Sequence, residues 1–281
     1  MRVPKDGGGI TWNSMKARGD LNKIPKVKPP DSYPPEDGSY LRGNDYSPVA
    51  VVILLHTDYD KTPGFMRDLS KIAVEAGAAL AGFLQTENLG IEKIICNVVA
   101  NPNIRYLVLC GVESAGHHPG QTFESFMKNG IDEKRQIIGA TSLTPYLYNI
   151  SLETVERFRK QIQLVNLLDD DNRKIRIDPE AIKKVINACI QEKPTPILNF
   201  TLCDLGAYPE LPICQKITWR VERPWANYPK DESAKLQKIK EIAHARALEV
   251  TRPQKRRQED IEFLELLFPK GKPENKIEQM K

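Results

Sequence analysis

Two adjacent histidines, His117 and His118, stand at the far end of a loop punctuated by Gly111, Gly116 and Gly120, with Glu113 inside it. Imidazole is the side chain that binds a metal or moves a proton near neutral pH. A carboxylate in the same loop is the usual partner for acid–base work. An apolar, β-prone run, Ile104 to Cys110, leads into the loop. Pro119 falls where a first helical residue belongs, and a helical pattern begins at Gln121. A buried strand, a glycine-rich loop and a helix start make up a ligand site at the carboxyl end of a parallel strand. The loop glycines would let the backbone approach a large ligand. Against this, neighbouring histidines chelate poorly from a helix, where ligands favour i and i+4 spacing. A loop histidine also serves commonly as a surface or capping residue.

Other chemistries lack their residues. No G-x-G-x-x-G follows the first strand and no G-K-[ST] phosphate loop exists, which speaks against a nucleotide-binding enzyme. No G-x-S-x-G nucleophile turn is present. The five cysteines are odd in number and irregularly spaced, and Cys203 and Cys214 lack C-x-x-C spacing. They read as reduced thiols of a cytoplasmic protein rather than a disulfide frame or a zinc site. A net charge of +4 over 281 residues is mild. The basic cluster Arg252 to Arg257 reads as a solvated tail, so no nucleic-acid partner is expected. The start of the chain carries no signal pattern, and no apolar run approaches the roughly 20 residues that span a bilayer.

The elements that must position the loop alternate strand and helix. Val49 to Leu55 is continuously apolar, as a strand covered on both faces would be. Phe65 to Ala81 reads as a helix through Leu69, Ile72, Ala73 and Ala76. Thr86 or Asn88 caps a second helix, Leu89 to Ala100, and Asn101-Pro-Asn103 stops it. Gly130 ends the helix that begins at Gln121. Arg135 to Ala140 reads as a short strand, Ser151 opens another helix, Val165 to Leu168 reads as a last core strand, and Pro179 to Ile190 as a final amphipathic helix. This pattern implies a Rossmann-like α/β domain, a mainly parallel sheet with helices on both faces. It is placed at residues 45–192. A proline-rich extended arm, 1–44, precedes it, with Trp12 and Tyr33 as anchors on the domain or on a second copy in a homodimer. An irregular and helical extension, 193–281, follows, with Ile217 to Val221 strand-like and helices from Asp231 to Val250 and near Glu259 to Leu267.

Several separate blocks resemble the A subunit of tetrahydromethanopterin S-methyltransferase, a corrinoid-carrying family. They are Glu75-Ala-Gly-Ala-Ala-Leu-Ala-Gly82, Thr86-Glu-Asn-Leu-Gly-Ile-Glu-Lys93, Asn101 to Gly111, Gly116-His117, Gly120-Gln121, Ile138-Gly-Ala140 and Pro145-Tyr146. The resemblance implies a cobamide (cobalamin) as cofactor, with His117 as the lower axial ligand of its cobalt and His118 as a neighbour. It implies a corrin cradle made by the loops near His56, at Thr86, Glu87, Asn88 and Leu89, at Gly111, Gly116, Gly120 and Gln121, and at Ala140, Thr141 and Pro145. A ligating imidazole must be neutral and needs a hydrogen-bond partner on its other nitrogen, for which Glu113, Ser114 or a backbone carbonyl is available. Residues 117–120 share the H-x-x-G spacing of other B12 domains, but Ala115 stands where their aspartate would be. The family's membrane helix has no counterpart here. The expectation is a soluble carrier in methyl transfer from methyl-tetrahydromethanopterin or methyl-tetrahydrofolate, held by a separate pterin-methyltransferase subunit, to a thiol or other acceptor. A non-catalytic interaction or regulatory protein that kept the fold and lost the cofactor is the alternative.

Overall fold

The computed structural model describes residues 23–55, 62–114, 117–168, 175–218 and Glu241. The chain divides into two compact units, Met1–Glu232 and Ser233–Lys281, and all described residues except Glu241 belong to the first. His56, Ala115, Gly116, Trp12 and nearly all of the expected C-terminal helices lie outside the described residues.

Two strands make the spine. β2 (Val49–Leu54) and β4 (Tyr106–Gly111) run parallel and side by side, and all six residues of each are buried. β1 is Tyr40–Arg42, β3 is Leu80–Leu84 and β5 is Gln163–Asn166. The sheet order is β1-β3-β2-β4-β5, parallel throughout except for β1, which pairs antiparallel with β3. The crossover helices are α1 (Gly64–Glu75), α2 (Leu89–Val99), α3 (Pro119–Asn129) and α4 (Leu152–Gln161). α5 (Pro179–Ile190) follows β5.

The helices cover both faces. Ala50, Val52, Leu54, Leu107 and Leu109 share one cluster with Ile91, Ile95, Val98 and Val99 of α2, Phe123 and Phe126 of α3 and Phe158 of α4. The three phenylalanine rings lie about 6 Å apart, two pairs edge to face, a favoured aromatic arrangement. The alternate residues, Val51, Ile53, Val108 and Cys110, are equally buried on the other face, which α1 and α5 occupy against each other. Continuous apolar runs in β2 and β4 follow from this double cover.

Several segments depart from the sequence reading. The helix expected over Phe65 to Ala81 stops at Glu75. Gly77 takes φ +108, its N–H bonds Val74 O and the Ala78 N–H bonds Ala73 O, a Schellman cap that only glycine allows cheaply. The alanine-rich remainder then becomes β3. Arg135 to Ala140 is not a strand: Arg135 at φ 65 and Gly139 at φ 84 break the extension, and only isolated bridges, Ile131 to Ile137 and Gln136 to Tyr146, form. The last core strand sits at Gln163–Asn166 rather than Val165 to Leu168. Ile217 and Thr218 are not in a strand; 219–221 lie outside the described residues. The stretch beyond α5 contains an antiparallel hairpin, β6 (Thr195–Ile197) and β7 (Phe200–Leu202), that the prolines hid. Tyr33 is buried, 2% exposed, and Arg42 lies over its ring. No helix among the described residues is long and apolar enough to cross a membrane.

Candidate functional site

The direction of winding reverses between β2 and β4: β2 leads outward to β3, and the chain returns over β2 to β4. The loops that leave the carboxyl ends of two such strands diverge and open a crevice. Val112, the residue that follows β4, therefore stands at that crevice.

His117 reaches across the end of β2 to the loop after β3. Its Nδ1 lies 2.8 Å from Oε2 of Glu87. The Glu87 side chain is 1% exposed, whereas the His117 side chain is 54% exposed. The other carboxylate oxygen of Glu87, Oε1, accepts from the Thr144 N–H at 3.1 Å and from the Thr144 hydroxyl at 2.9 Å. Asn88 donates through Nδ2 to that same hydroxyl at 3.1 Å. Glu87 is thus a buried carboxylate whose partners are donors. Opposite a carboxylate, a neutral imidazole places its proton on Nδ1 and keeps the lone pair on Nε2. This is the arrangement that orients metal-binding histidines and raises their basicity.

The partner anticipated within the histidine loop is different. Glu113 caps α3 instead: Oε1 accepts from the Gly120 N–H at 2.9 Å and Oε2 from the Gln121 N–H at 3.0 Å. Burial pushes its carboxyl above the ordinary range, against the pull of backbone donors at Gly120, Gln121 and Ser114 and of the Arg176 charge. A helix N-terminus is a ready anion site; at α3 the chain's own carboxylate fills it. Ser114 contributes its carbonyl to the His118 N–H. His118 is the residue before α3 and adopts the left-handed conformation, φ 42 and ψ 49. It turns the chain from loop to helix beside His117.

The remaining predicted positions fall around this contact. Asn88 caps α2 through Leu89 N, Thr86 Oγ1 accepts from Gly90 N, and Leu89 packs against the core. Gln121 ties α3 to the next loop: its Oε1 accepts from the Thr141 N–H and hydroxyl, and its Nε2 donates to Ser125 Oγ and Gly139 O. Ala140 packs at the edge of the core, and Pro145 is buried with its carbonyl bonded to Ile137 N. Glycine at two positions answers to the protein itself. A Cβ on Gly111, at φ +97, would stand 2.5 Å from Leu54 N and O. One on Gly120 would meet Leu54 Cδ1 at 2.5 Å and Glu113 Oε2 at 2.7 Å. Their being glycine is accounted for without a ligand. Thr144 is not among the residues the sequence points to; its signal is its place between Thr141 and Pro145.

Among the described residues, no group of three or more His, Cys, Asp or Glu gathers to hold a metal ion.

The model of the family described as the A subunit of tetrahydromethanopterin S-methyltransferase matches residues 26–200, which include every predicted site residue. The chain is 44% identical over 172 residues to A-subunit 1 of that enzyme from Methanothermobacter marburgensis, covering 61% of this chain and 65% of the relative. It is 40% identical over 195 residues to A-subunit 2 from Methanothermobacter thermautotrophicus, covering 69% of this chain and 91% of the relative. With the A subunit of Methanocaldococcus jannaschii it shares 40% identity over 170 residues, 60% of this chain and 64% of the relative. The match therefore spans less than two thirds of the M. marburgensis and M. jannaschii proteins. The family match over residues 26–200, with 40% identity to a relative covered to 91% of its length, places the chain in the family of the tetrahydromethanopterin S-methyltransferase A subunit.

Proposed function

We propose that this chain carries a cobamide in methyl transfer from a methylated tetrahydropterin to a thiol or other acceptor, with His117 Nε2 as the lower axial ligand of the cobalt. The observation that carries the reading is the 2.8 Å contact between His117 Nδ1 and the buried carboxylate of Glu87. When bound, the cobamide supplies a cobalt centre that takes up and gives away a methyl group. The polypeptide's part is to bind, orient and hold a proton. Glu87 keeps the Nδ1 proton in place, so that Nε2 stays a lone-pair donor, and Thr144 keeps Glu87 turned toward it. His117 is half exposed, so a bound group can reach its imidazole. The residues fit such a group. His117 would hold it through Nε2, with Glu87 and Thr144 keeping the imidazole oriented.

Several observations support the setting. The crevice lies where the sheet reverses its winding, as in Rossmann-like domains. The relatives' names place them as subunits of a methyltransferase acting with tetrahydromethanopterin. A separate pterin-methyltransferase subunit is the partner this reading requires, with methyl-tetrahydromethanopterin or methyl-tetrahydrofolate as donor.

The test is a titration of the full chain with aquocobinamide, a corrinoid without its own lower base, followed by absorbance. The expected result is a spectrum of an imidazole-ligated corrinoid that His117→Ala loses and added imidazole partly restores. Unchanged binding and spectrum in His117→Ala would overturn the axial role. No binding of aquocobinamide or hydroxocobalamin by the wild-type chain, oxidised or reduced, would favour the non-catalytic interaction or regulatory alternative.

A further inference from the structure

Glu92, in α2, is another carboxylate with no exposure at all. Its Oε1 accepts from the Asn149 N–H at 2.6 Å and its Oε2 from Asn149 Nδ2 at 2.7 Å; the Tyr148 backbone donates as well. Every partner is a donor, so the position calls for a group that only accepts. Asn149 belongs to the same irregular segment as Thr144. The residues between them, Pro145 to Tyr148, are all buried. Backbone bonds tie that stretch to its neighbour: Ile137 N–H to Pro145 O at 2.8 Å and Leu147 N–H to Arg135 O at 3.0 Å. Arg135 also donates to Ile150 O at 2.7 Å. A piece so enclosed moves as a unit, because packed interiors transmit displacement rather than absorb it. Holding it at Asn149 therefore sets where Thr144 stands. Thr144 in turn is the residue that saturates Oε1 of Glu87 and leaves Oε2 for His117.

We propose that Glu92 is a positioning residue for His117: by clamping Asn149 it registers the 144–149 segment so that Thr144 keeps Glu87 aimed at His117 Nδ1. α2 and the loop just before it thus hold that segment at two points, Glu87 on Thr144 and Glu92 on Asn149. The proposal rests on His117 being the ligand, but its test does not use the cofactor.

The readout is the tautomer of His117 in the full chain, from long-range 15N–1H correlation spectra of the imidazole without corrinoid. In Glu92→Gln the amide must turn one N–H toward a donor. The segment should shift, and the ratio of the Nδ1–H to the Nε2–H form should fall about tenfold, the scale of one weakened charge-assisted hydrogen bond. The double variant Glu92→Gln with Asn149→Asp reverses the side-chain pair: the new glutamine accepts through Oε1 from the backbone of residue 149 and donates through Nε2 to the introduced aspartate. It should restore the wild-type ratio, which a loss of general stability would not do. If Glu92→Gln does not fold, Asn149→Ala keeps the backbone bond and removes the side-chain bond, and should lower the ratio severalfold. A wild-type ratio in Glu92→Gln or Asn149→Ala, or a folded double variant without restoration, overturns the proposal. The reading of the site fails separately: a tautomer response as described, with no aquocobinamide binding by wild type, keeps the positioning role and removes the corrinoid.

Discussion

Replacing Glu87 by glutamine separates shape from chemistry at this site. The two side chains have nearly the same volume, so Glu87→Gln should leave the buried pocket filled. What changes is the donor pattern. Oε1 of Glu87 receives two donors from Thr144, its N–H and its hydroxyl. The amide oxygen of the new side chain must take that place, since turning the NH2 there would leave a buried N–H unpaired at a cost of about 1–3 kcal/mol. The NH2 then faces His117 Nδ1, where Oε2 stood 2.8 Å away. An N–H donor opposite Nδ1 demands a lone pair on it, and the imidazole proton moves to Nε2. The variant thus inverts the tautomer and removes the lone pair from the atom proposed to meet the metal. A hydrogen bond to a charged group contributes about 1.5–3 kcal/mol, and loss of such an orienting partner lowers metal affinity about 10- to 100-fold. Aquocobinamide titration should show a drop of that size, and 15N–1H spectra of His117 should show the Nε2–H form. Wild-type affinity in a folded Glu87→Gln, with Nδ1 still protonated, would refute the role given to orientation.

Three further substitutions test the frame. Gly111→Ala places a Cβ 2.5 Å from the Leu54 backbone at φ +97 and should cost about 2–4 kcal/mol in urea unfolding, from left-handed strain plus overpacking. Glu113→Ala removes the cap of α3 and should cost about 1–2 kcal/mol. Its pH dependence has a definite sign: burial raises the folded carboxyl pKa above the ordinary 4.5, so the stabilisation is full below that value and shrinks as pH rises through the folded pKa. Urea midpoints should therefore differ more between wild type and variant near pH 4 than near pH 7. Leu198, 42% exposed, sits at φ 50 in the turn between β6 and β7; Leu198→Gly relieves that conformation and should raise stability by about 1 kcal/mol, as read from the thermal midpoint.

The main frame was legible because each long element carried two agreeing signals. β2 and β4 are continuous apolar runs, and α2 and α4 each join a helical stripe to a capping side chain, at Asn88 and Ser151. Where one signal stood alone, the reading slipped. The alanines after Glu75 favour a helix by propensity, and only Gly77 announced its end. Nothing in the identity of Arg135 announces a positive φ, so a β-prone stretch around Ile137 looked like a strand. In the site, His117 and the Thr86 to Asn88 loop were both named, yet not as a pair. Nearness in sequence points to Glu113, Ser114 or a backbone carbonyl as the hydrogen-bond partner. Strand order decides otherwise: parallel strands deliver their carboxyl-end loops to one place whatever their separation along the chain.

That displacement gives the two carboxylates distinct duties. Glu113 spends both oxygens on the amides that open α3, the position where a phosphate would otherwise find its donors. Glu87, out of solvent, spends one oxygen on Thr144 and one on His117. The first arrangement withdraws an anion site from the crevice; the second orients an imidazole in it. A ligand that binds through phosphates gains nothing at α3, whereas one that binds through an electron-poor metal gains an oriented lone pair. The same reasoning ranks the histidines. His118 is committed by its backbone to turning the chain into α3, and His117, half exposed and held at Nδ1, is the one for which the ligand role is proposed.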